Sequence, residues 1–188
     1  MGGQAGRQDR GDPDCDPLAS RPPLLVSACL VGLRTRLDGS ARSFPGVTAL
    51  ASRFCLIPVC PEQLGGLATP RAGAEICGGS GDHVLSGSAR VMTAEGHDVT
   101  EAFLRGAAEV LAVARLTGAD TAVLKARSPS CGVGTTYDGT FSHRLQPGSG
   151  VAAALLHDSG IALFTEEDCA GLWAGSDHRE PHVAEEGT

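Results

Sequence analysis

The sequence predicts a single α/β domain, a Rossmann-like structure of three layers around a mostly parallel sheet. Three observations lead there. Strand-length apolar runs recur at residues 24–28, 55–59, 121–126 and 161–165, with helix-like segments between them. The first run is continuously apolar rather than alternating, as in a strand buried on both faces. Finally, 188 residues suffice for one domain with a proper core and are too few for two comfortable ones.

Each element has its own signal. Residues 1–21, rich in Gly, Asp, Arg and Pro, read as a disordered leader, and residues 176–188 as a disordered tail; residues 22–175 form the domain. A helix is expected over 45–54. The Gly- and Pro-rich stretch 61–87 reads as an irregular functional loop holding at most one short strand. Residues 89–93 suit a strand. Thr100 is expected to cap a helix that presents Phe103, Leu104, Ala107, Ala108, Leu111 and Ala114 on one face and ends at Gly118. A turn at 128–134 follows the next strand, and Tyr137-Asp138-Gly139-Thr140 is a hairpin-type turn signal. Helices are expected at 150–157 and 166–173.

Composition narrows the function. A net charge of −7 argues against a nucleic-acid duplex as the main partner, since phosphate neutralisation needs clustered cations. No run approaches the roughly 18 apolar residues of a membrane span, and the N-terminus has no apolar signal-peptide stretch. A cytoplasmic location is expected, where thiols stay reduced, so the seven cysteines are read as ligands, nucleophiles or small core residues. Of the fifteen Lys and Arg residues only Lys125 is a lysine, and it stands in Leu124-Lys125-Ala126-Arg127-Ser128-Pro129-Ser130-Cys131, just ahead of the third cysteine. Its survival there reflects either a site requirement or chance.

Cys29, Cys60 and Cys131 each close a strand-like run beside Gly, Pro or Ser. Ligands of open α/β sheets gather outside the carboxyl ends of the strands. Three thiols delivered there from distant parts of the chain suit a three-thiolate metal or cluster site with one position open. Each cysteine alone is more often a small buried hydrophobe. Cys55 reads as core, Cys15 as inert and Cys169 as packed, while the loop of Cys77 is able to approach the site. Glu62, Ser128 and Ser130 lie beside these thiols. A carboxylic acid and a hydroxyl there suit proton transfer and water orientation; the plainer reading makes Glu62 a helix cap and the serines turn residues.

The stretches Leu25-Val26-Ser27-Ala28-Cys29-Leu30-Val31-Gly32, Arg36-Leu37-Asp38-Gly39, Pro58-Val59-Cys60-Pro61-Glu62-Gln63-Leu64-Gly65-Gly66-Leu67-Ala68-Thr69-Pro70-Arg71 and Leu124-Lys125-Ala126-Arg127-Ser128-Pro129-Ser130-Cys131-Gly132 closely resemble a widespread prokaryotic family. That family was long catalogued as a domain of unknown function and includes the thiouracil desulfurases. Gly96-His97-Asp98-Val99-Thr100 and Tyr137-Asp138-Gly139-Thr140-Phe141-Ser142 extend the match.

The resemblance implies a [4Fe-4S] cluster held by Cys29, Cys60 and Cys131, with the fourth iron open to the sulfur of a thiocarbonyl substrate. It implies non-redox hydrolysis of a thiolated nucleobase or similar small thioamide, with release of sulfide. Ser128 matches the family's catalytic serine. Glu62 is the expected acid/base carboxylate, with Asp38 and Glu75 as competitors. Ser130, Lys125, Arg71 and Asp38 are the expected substrate or cluster-charge contacts. Thr35 stands where many members carry a further Cys, and Leu37 replaces a tyrosine, which alters the wall facing the substrate.

Two other readings remain open from the residues. Cys131 is a persulfide-carrying nucleophile of a cluster-free sulfurtransferase, or the domain is a non-enzymatic iron–sulfur or metal-binding sensor. The glycines of Gly78-Gly79-Ser80-Gly81 lack the G-x-G-x-x-G pattern and give dinucleotide binding little support.

Overall fold

Four parallel strands form the central sheet in the order β2-β1-β5-β8: β1 (Pro23–Ser27), β2 (Cys55–Val59), β5 (Thr121–Leu124) and β8 (Ala162–Thr165). The computed structural model describes residues 21–173. The expected leader and tail lie almost wholly outside those residues. Among the described residues no helix is long and apolar enough to cross a membrane.

Side-chain alternation divides the core into two faces. Leu24, Val26 and Val123 point to one face, against Leu30, Val47, Leu50 and Cys169. Leu25, Ala122 and Leu124 point to the other, against α4 (Thr100–Thr117) and α5 (Val151–Asp158) through Val110, Leu111, Ala114, Ala153 and Leu156. Three layers follow, as expected for a parallel sheet. β1 and β5 are central and almost wholly buried, whereas β2 is an edge that tolerates Pro58, whose missing N–H costs no ladder bond there.

Two antiparallel hairpins lie outside the sheet. β3 (Ala74–Cys77) pairs with β4 (Arg90–Thr93), and β6 (Thr135–Tyr137) pairs with β7 (Leu145–Pro147). Ile76, Val84, Ala89 and Val91 pack with Phe103, Ala107, Val151 and Ala152 as a third cluster.

Several expectations need correction. Residues 61–87 are more ordered than their glycines and prolines suggest: they hold α2 (Pro61–Leu64), β3 and α3 (Gly81–Leu85). The 45–54 helix is α1 (Pro45–Ala49) followed by a 3-10 turn, Leu50–Ser52. Thr100 is not the cap of α4 but its first residue; Val99 stands at the cap and the Asp98 carboxylate accepts the Thr100 N–H at 2.9 Å. Ala108 faces solvent, and Ala102, Gly106 and Val110 complete the buried stripe instead. No helix fills 166–173: Glu166 begins a turn fixed by Asp168, whose carboxylate accepts the Thr165 hydroxyl at 2.9 Å, and a 3-10 helix, Cys169–Trp173, follows. Cys55 is half-buried on the edge strand rather than in the core, because an edge strand leaves part of its surface open.

α2 is held at its place by two glycines. A Cβ on Gly106 of α4 would stand 2.0 Å from the Pro61 carbonyl oxygen, and one on Gly65 would stand 2.0 Å from the Ala102 carbonyl oxygen. The two backbones therefore touch, and Arg105 seals the contact by donating to the Gly65 carbonyl at 2.9 Å. This contact fixes the segment that carries Cys60 and Glu62.

Candidate metal centre and substrate cavity

β1 pairs with β2 so that Ser27 lies opposite Val59, and the chain beyond both strands turns away at the same level. Cys29 sits in the 3-10 turn Ala28–Val31 after β1, Cys60 directly after β2, and Cys131 in the turn that follows β5. All three line one cavity of about 620 Å³ at the carboxyl ends of the strands. Cys55, Cys77 and Cys169 do not line it. Cys29 and Cys60 stand close to their strand ends, whereas Cys131 lies well beyond Leu124, the last residue of β5, and reaches the cavity through the intervening turn.

The thiols sense one another. Burial pushes the Cys29 thiol up, and Cys60 adds to this, while Arg36 and Lys125 pull it down. Burial pushes Cys131 up further; a hydrogen bond with Ser27 opposes this, and Cys60, Cys29 and Glu62 reinforce it. Left alone, two of the three would resist ionisation, and a metal that binds thiolates would displace their protons. Cys60 points its sulfur at the Thr35 carbonyl, 3.8 Å away.

No group of three or more His, Cys, Asp or Glu among the described residues is gathered tightly enough to hold a single metal ion. Three thiolates that each bind a different iron of a cluster need no such crowding. The donor set, three soft thiols and no fourth in the cavity wall among the described residues, fits a cluster with one iron free of protein ligands.

Ser128 Oγ accepts the backbone N–H of Ser130 at 3.2 Å and of Cys131 at 3.1 Å, so it shapes the turn and lines the cavity together. The same turn closes the start of α5: its Pro129 and Ser130 carbonyls accept the amides of Val151 and Ala152 at 2.9 and 3.0 Å. Ser130 is buried, its hydroxyl finds no partner, and it does not line the cavity. Asp38 stands outside as well. Its carboxylate accepts from the Ser40 hydroxyl and amide, bonds that hold it below the ordinary carboxylate range.

Glu62 and Arg71 form a largely buried pair, Oε2 to Nε at 2.6 Å. Arg71 also donates to the Thr35 carbonyl at 2.9 Å and the Thr69 hydroxyl at 3.0 Å, which leaves its guanidinium little freedom. Lys125 pairs with Glu166, Nζ to Oε1 at 2.5 Å, and donates to the Ala126 carbonyl at 3.1 Å. Glu166 Oε2 accepts the Ala126 N–H at 2.8 Å. Burial pushes the Glu166 carboxyl up, but these bonds outweigh it and hold the group below its ordinary range. Both residues line the cavity.

Sequence reasoning missed Glu166 and gave Glu75 only a competing role. Glu75 is buried on β3, lines the cavity and accepts the Phe141 N–H at 3.0 Å. The signal for Glu166 was its place directly after a strand. Leu124 pairs with Thr165, so the next residues of β5 and β8 are Lys125 and Glu166.

The sequence model of the 2-thiouracil desulfurase family matches residues 24–168, which includes every strand of the sheet except Pro23. The chain belongs to that family. A relative in Bacillus subtilis (strain 168), the uncharacterized protein YbbK, is 46% identical over 145 residues, 77% of this chain and 96% of that protein. Among solved structures, the [4Fe-4S]-dependent thiouracil desulfidase TudS is similar with a TM-score of 0.72 and 36% identity, over 82% of this chain and 97% of that one. The three-thiol cavity and both ion pairs are thus features of a 2-thiouracil desulfurase family member.

Proposed function

We propose that this protein is a [4Fe-4S]-dependent desulfurase that hydrolyses the C=S group of a thiolated nucleobase of the thiouracil type to C=O and releases sulfide. The observation that carries this reading is the convergence of Cys29, Cys60 and Cys131 on one cavity that, among the described residues, holds no fourth thiol. The similarity to the TudS structure supports it.

Cys29, Cys60 and Cys131 would hold the cluster. When bound, it supplies a soft Lewis acid for the thiocarbonyl sulfur. The rest falls to the chain. Lys125 and Arg36 place positive charge beside Cys29, which offsets the charge that three thiolates bring. Ser128 uses its oxygen to accept two amides, so its own proton is left to donate toward the cavity. Arg71 occupies one oxygen of Glu62 and fixes its direction, and the other oxygen is available to take a proton from the attacking water. Water adds oxygen to the ring carbon, sulfur leaves as sulfide, and no electrons change hands. Ser130 and Asp38, both away from the cavity, have no part in this scheme.

A persulfide carrier at Cys131 is the weaker reading. A reactive thiol needs a depressed pKa and access, whereas burial pushes this one up. A reducing, cytoplasmic setting is part of the proposal, and in it these thiols stay available as ligands.

The test is iron and acid-labile sulfide content on protein purified without oxygen, together with conversion of 2-thiouracil to uracil. About four irons per chain, lost in Cys29→Ala, Cys60→Ala and Cys131→Ala, are expected. Protein that takes up no iron on anaerobic reconstitution would sink the proposal.

A further inference from the structure

Aromatic residues are scarce in this chain, with five Phe, one Tyr and one Trp. Phe44, Tyr137 and Phe141 nevertheless line the same cavity, and His143 joins them. Tyr137 and His143 meet edge to face, with centroids 6.2 Å apart. The β6–β7 loop therefore builds a wall suited to the face of a flat ring.

That loop is held, not merely near. Gly139 lies so close to β3 that a Cβ would stand 2.5 Å from the Ile76 carbonyl oxygen. The Cys77 thiol meets the Gly139 carbonyl at 3.3 Å, and Gln146 donates to the Gly79 carbonyl at 2.9 Å. Two residues along β3 from Cys77, Glu75 Oε2 accepts the Phe141 N–H at 3.0 Å. Phe141 and His143 adopt left-handed backbone, with φ of 56° and 61°. Together with Arg127 they are the only non-glycine residues of that kind among the described residues, and all three line the cavity. Such conformations persist where the surroundings over-determine them, and they cluster at functional sites.

Glu75 itself is poised for a second task. It is a buried carboxylate in the cavity wall with one oxygen committed to Phe141. Among the described residues no hydrogen bond engages the other oxygen, and it is not fully enclosed. An ionised carboxylate only accepts hydrogen bonds. Beside an aromatic wall, it suits a ring N–H.

We infer that Glu75 and Phe141 select the substrate: Phe141 packs on the ring face while the free oxygen of Glu75 accepts a ring N–H, so the site favours thiolactams whose ring nitrogen keeps its proton. This rests on the desulfurase reading above and assigns these residues binding rather than chemistry. Glu75 is also a positioning residue for Phe141, since the same carboxylate serves both N–H groups.

The experiment uses the cluster-loaded enzyme with 2-thiouracil, its N1-methyl and N3-methyl derivatives, and, for turnover-independent binding, uracil titrated by NMR. At least one methyl derivative is expected to raise KM about tenfold, since a good hydrogen bond to a charged group is worth roughly that factor. Glu75→Gln, with one acceptor oxygen for two donors, should raise KM for 2-thiouracil, weaken uracil binding by a similar factor, and erase most of the discrimination. kcat should change little. Phe141→Leu should weaken uracil binding and Phe141→Tyr should restore it.

The inference falls if the wild type accepts both methyl derivatives like the parent, or if Glu75→Gln keeps the discrimination. It falls equally if Glu75→Gln lowers kcat and leaves KM and uracil binding intact, because Glu75 would then be an acid or base. Should no form turn over thiouracil while uracil binding still depends on Glu75 and Phe141, the inference stands and the desulfurase reading fails. Absence of both turnover and uracil binding overturns the two together.

Discussion

Glu166 clamps Lys125: its two carboxylate oxygens bind the Lys125 ammonium at 2.5 Å and the Ala126 amide at 2.8 Å, so one side chain fixes both ends of the residue that leads into the Ser128–Cys131 turn. Both side chains are largely buried, at 18% and 9% exposed. Removing one partner strands the other charge. Lys125→Met is expected to destabilise the protein by about 3 kcal/mol, and Lys125→Met with Glu166→Leu by less than that single change. Chemical unfolding of the three forms checks this.

The same pair makes stability depend on pH with a definite sign. The folded-state pKa of Glu166 lies below its ordinary value of 4.5. Its contribution is therefore complete above 4.5 and is lost as pH falls through the lower, folded-state value. The Tm gap between wild type and Glu166→Gln should be constant from neutral pH to about 5, then narrow as the solution is made more acid. A gap that widens on acidification would contradict the assignment.

The contact of α2 with α4 predicts a steric effect at a distance from the chemistry. A methyl group on Gly106 would meet the Pro61 carbonyl oxygen at 2.0 Å, and a backbone atom has no rotamer by which to withdraw. Gly106→Ala should cost about 3 kcal/mol, at the upper end of overpacking, and lower Tm by roughly 6–12 °C. Because the clash pushes on the turn that bears Cys60, iron retention should fall as well. Gly32→Ala meets no neighbour within 4 Å and strains only its own left-handed backbone, φ 95°. It should cost less, by about 1–2 kcal/mol.

The sheet was legible because its signals are local. Leu24 to Val26 is an unbroken apolar run, and Gly118 stops α4 in left-handed backbone, φ 71°. Cys29 and Cys60 were legible for the same reason: each sits next to a strand end, and strand ends of a parallel sheet converge. What the sequence left undecided was where each side chain turns, which close neighbours settle in some cases and distant segments in others. Ser130 and Ser128 look alike in sequence, yet the turn points one hydroxyl at amides and cavity and buries the other. Asp38 looks like a site carboxylate, yet Ser40 captures it two residues on. Glu75 and Glu166 acquire their roles from Phe141 and Lys125, 66 and 41 residues away, and no local pattern encodes those distances. The 61–87 segment looked irregular in part because two of its glycines, Gly65 and Gly81, serve close backbone approach, to α4 and to Gly150, rather than flexibility.

Glu62 and Arg71 supply an activity prediction with an internal control. Glu62→Gln removes the proposed base and should lower kcat by about 10²–10⁴. Arg71→Lys keeps the charge but loses the fork that reaches Glu62, Thr35 and Thr69 at once. Its kcat should fall less, by roughly tenfold, with iron content unchanged. Equal losses in the two variants would mean that Arg71 acts on the substrate directly rather than by aiming Glu62.

Ser128 is both a fold residue and the proposed proton donor, and the two roles separate by substitution. Its oxygen accepts the amides of Ser130 and Cys131, so Ser128→Ala leaves two N–H groups without that partner and should cost about 1–3 kcal/mol. Loss of a general acid costs about 10²–10⁴ in kcat, beyond anything a loosened turn explains if iron content is retained. Ser128→Thr preserves the hydroxyl and the acceptor, so it should recover most of both stability and rate. Measured side by side, iron content, Tm and kcat assign the roles. A Ser128→Ala protein that keeps its iron and its rate would confine Ser128 to the turn and move the proton donor elsewhere in the cavity.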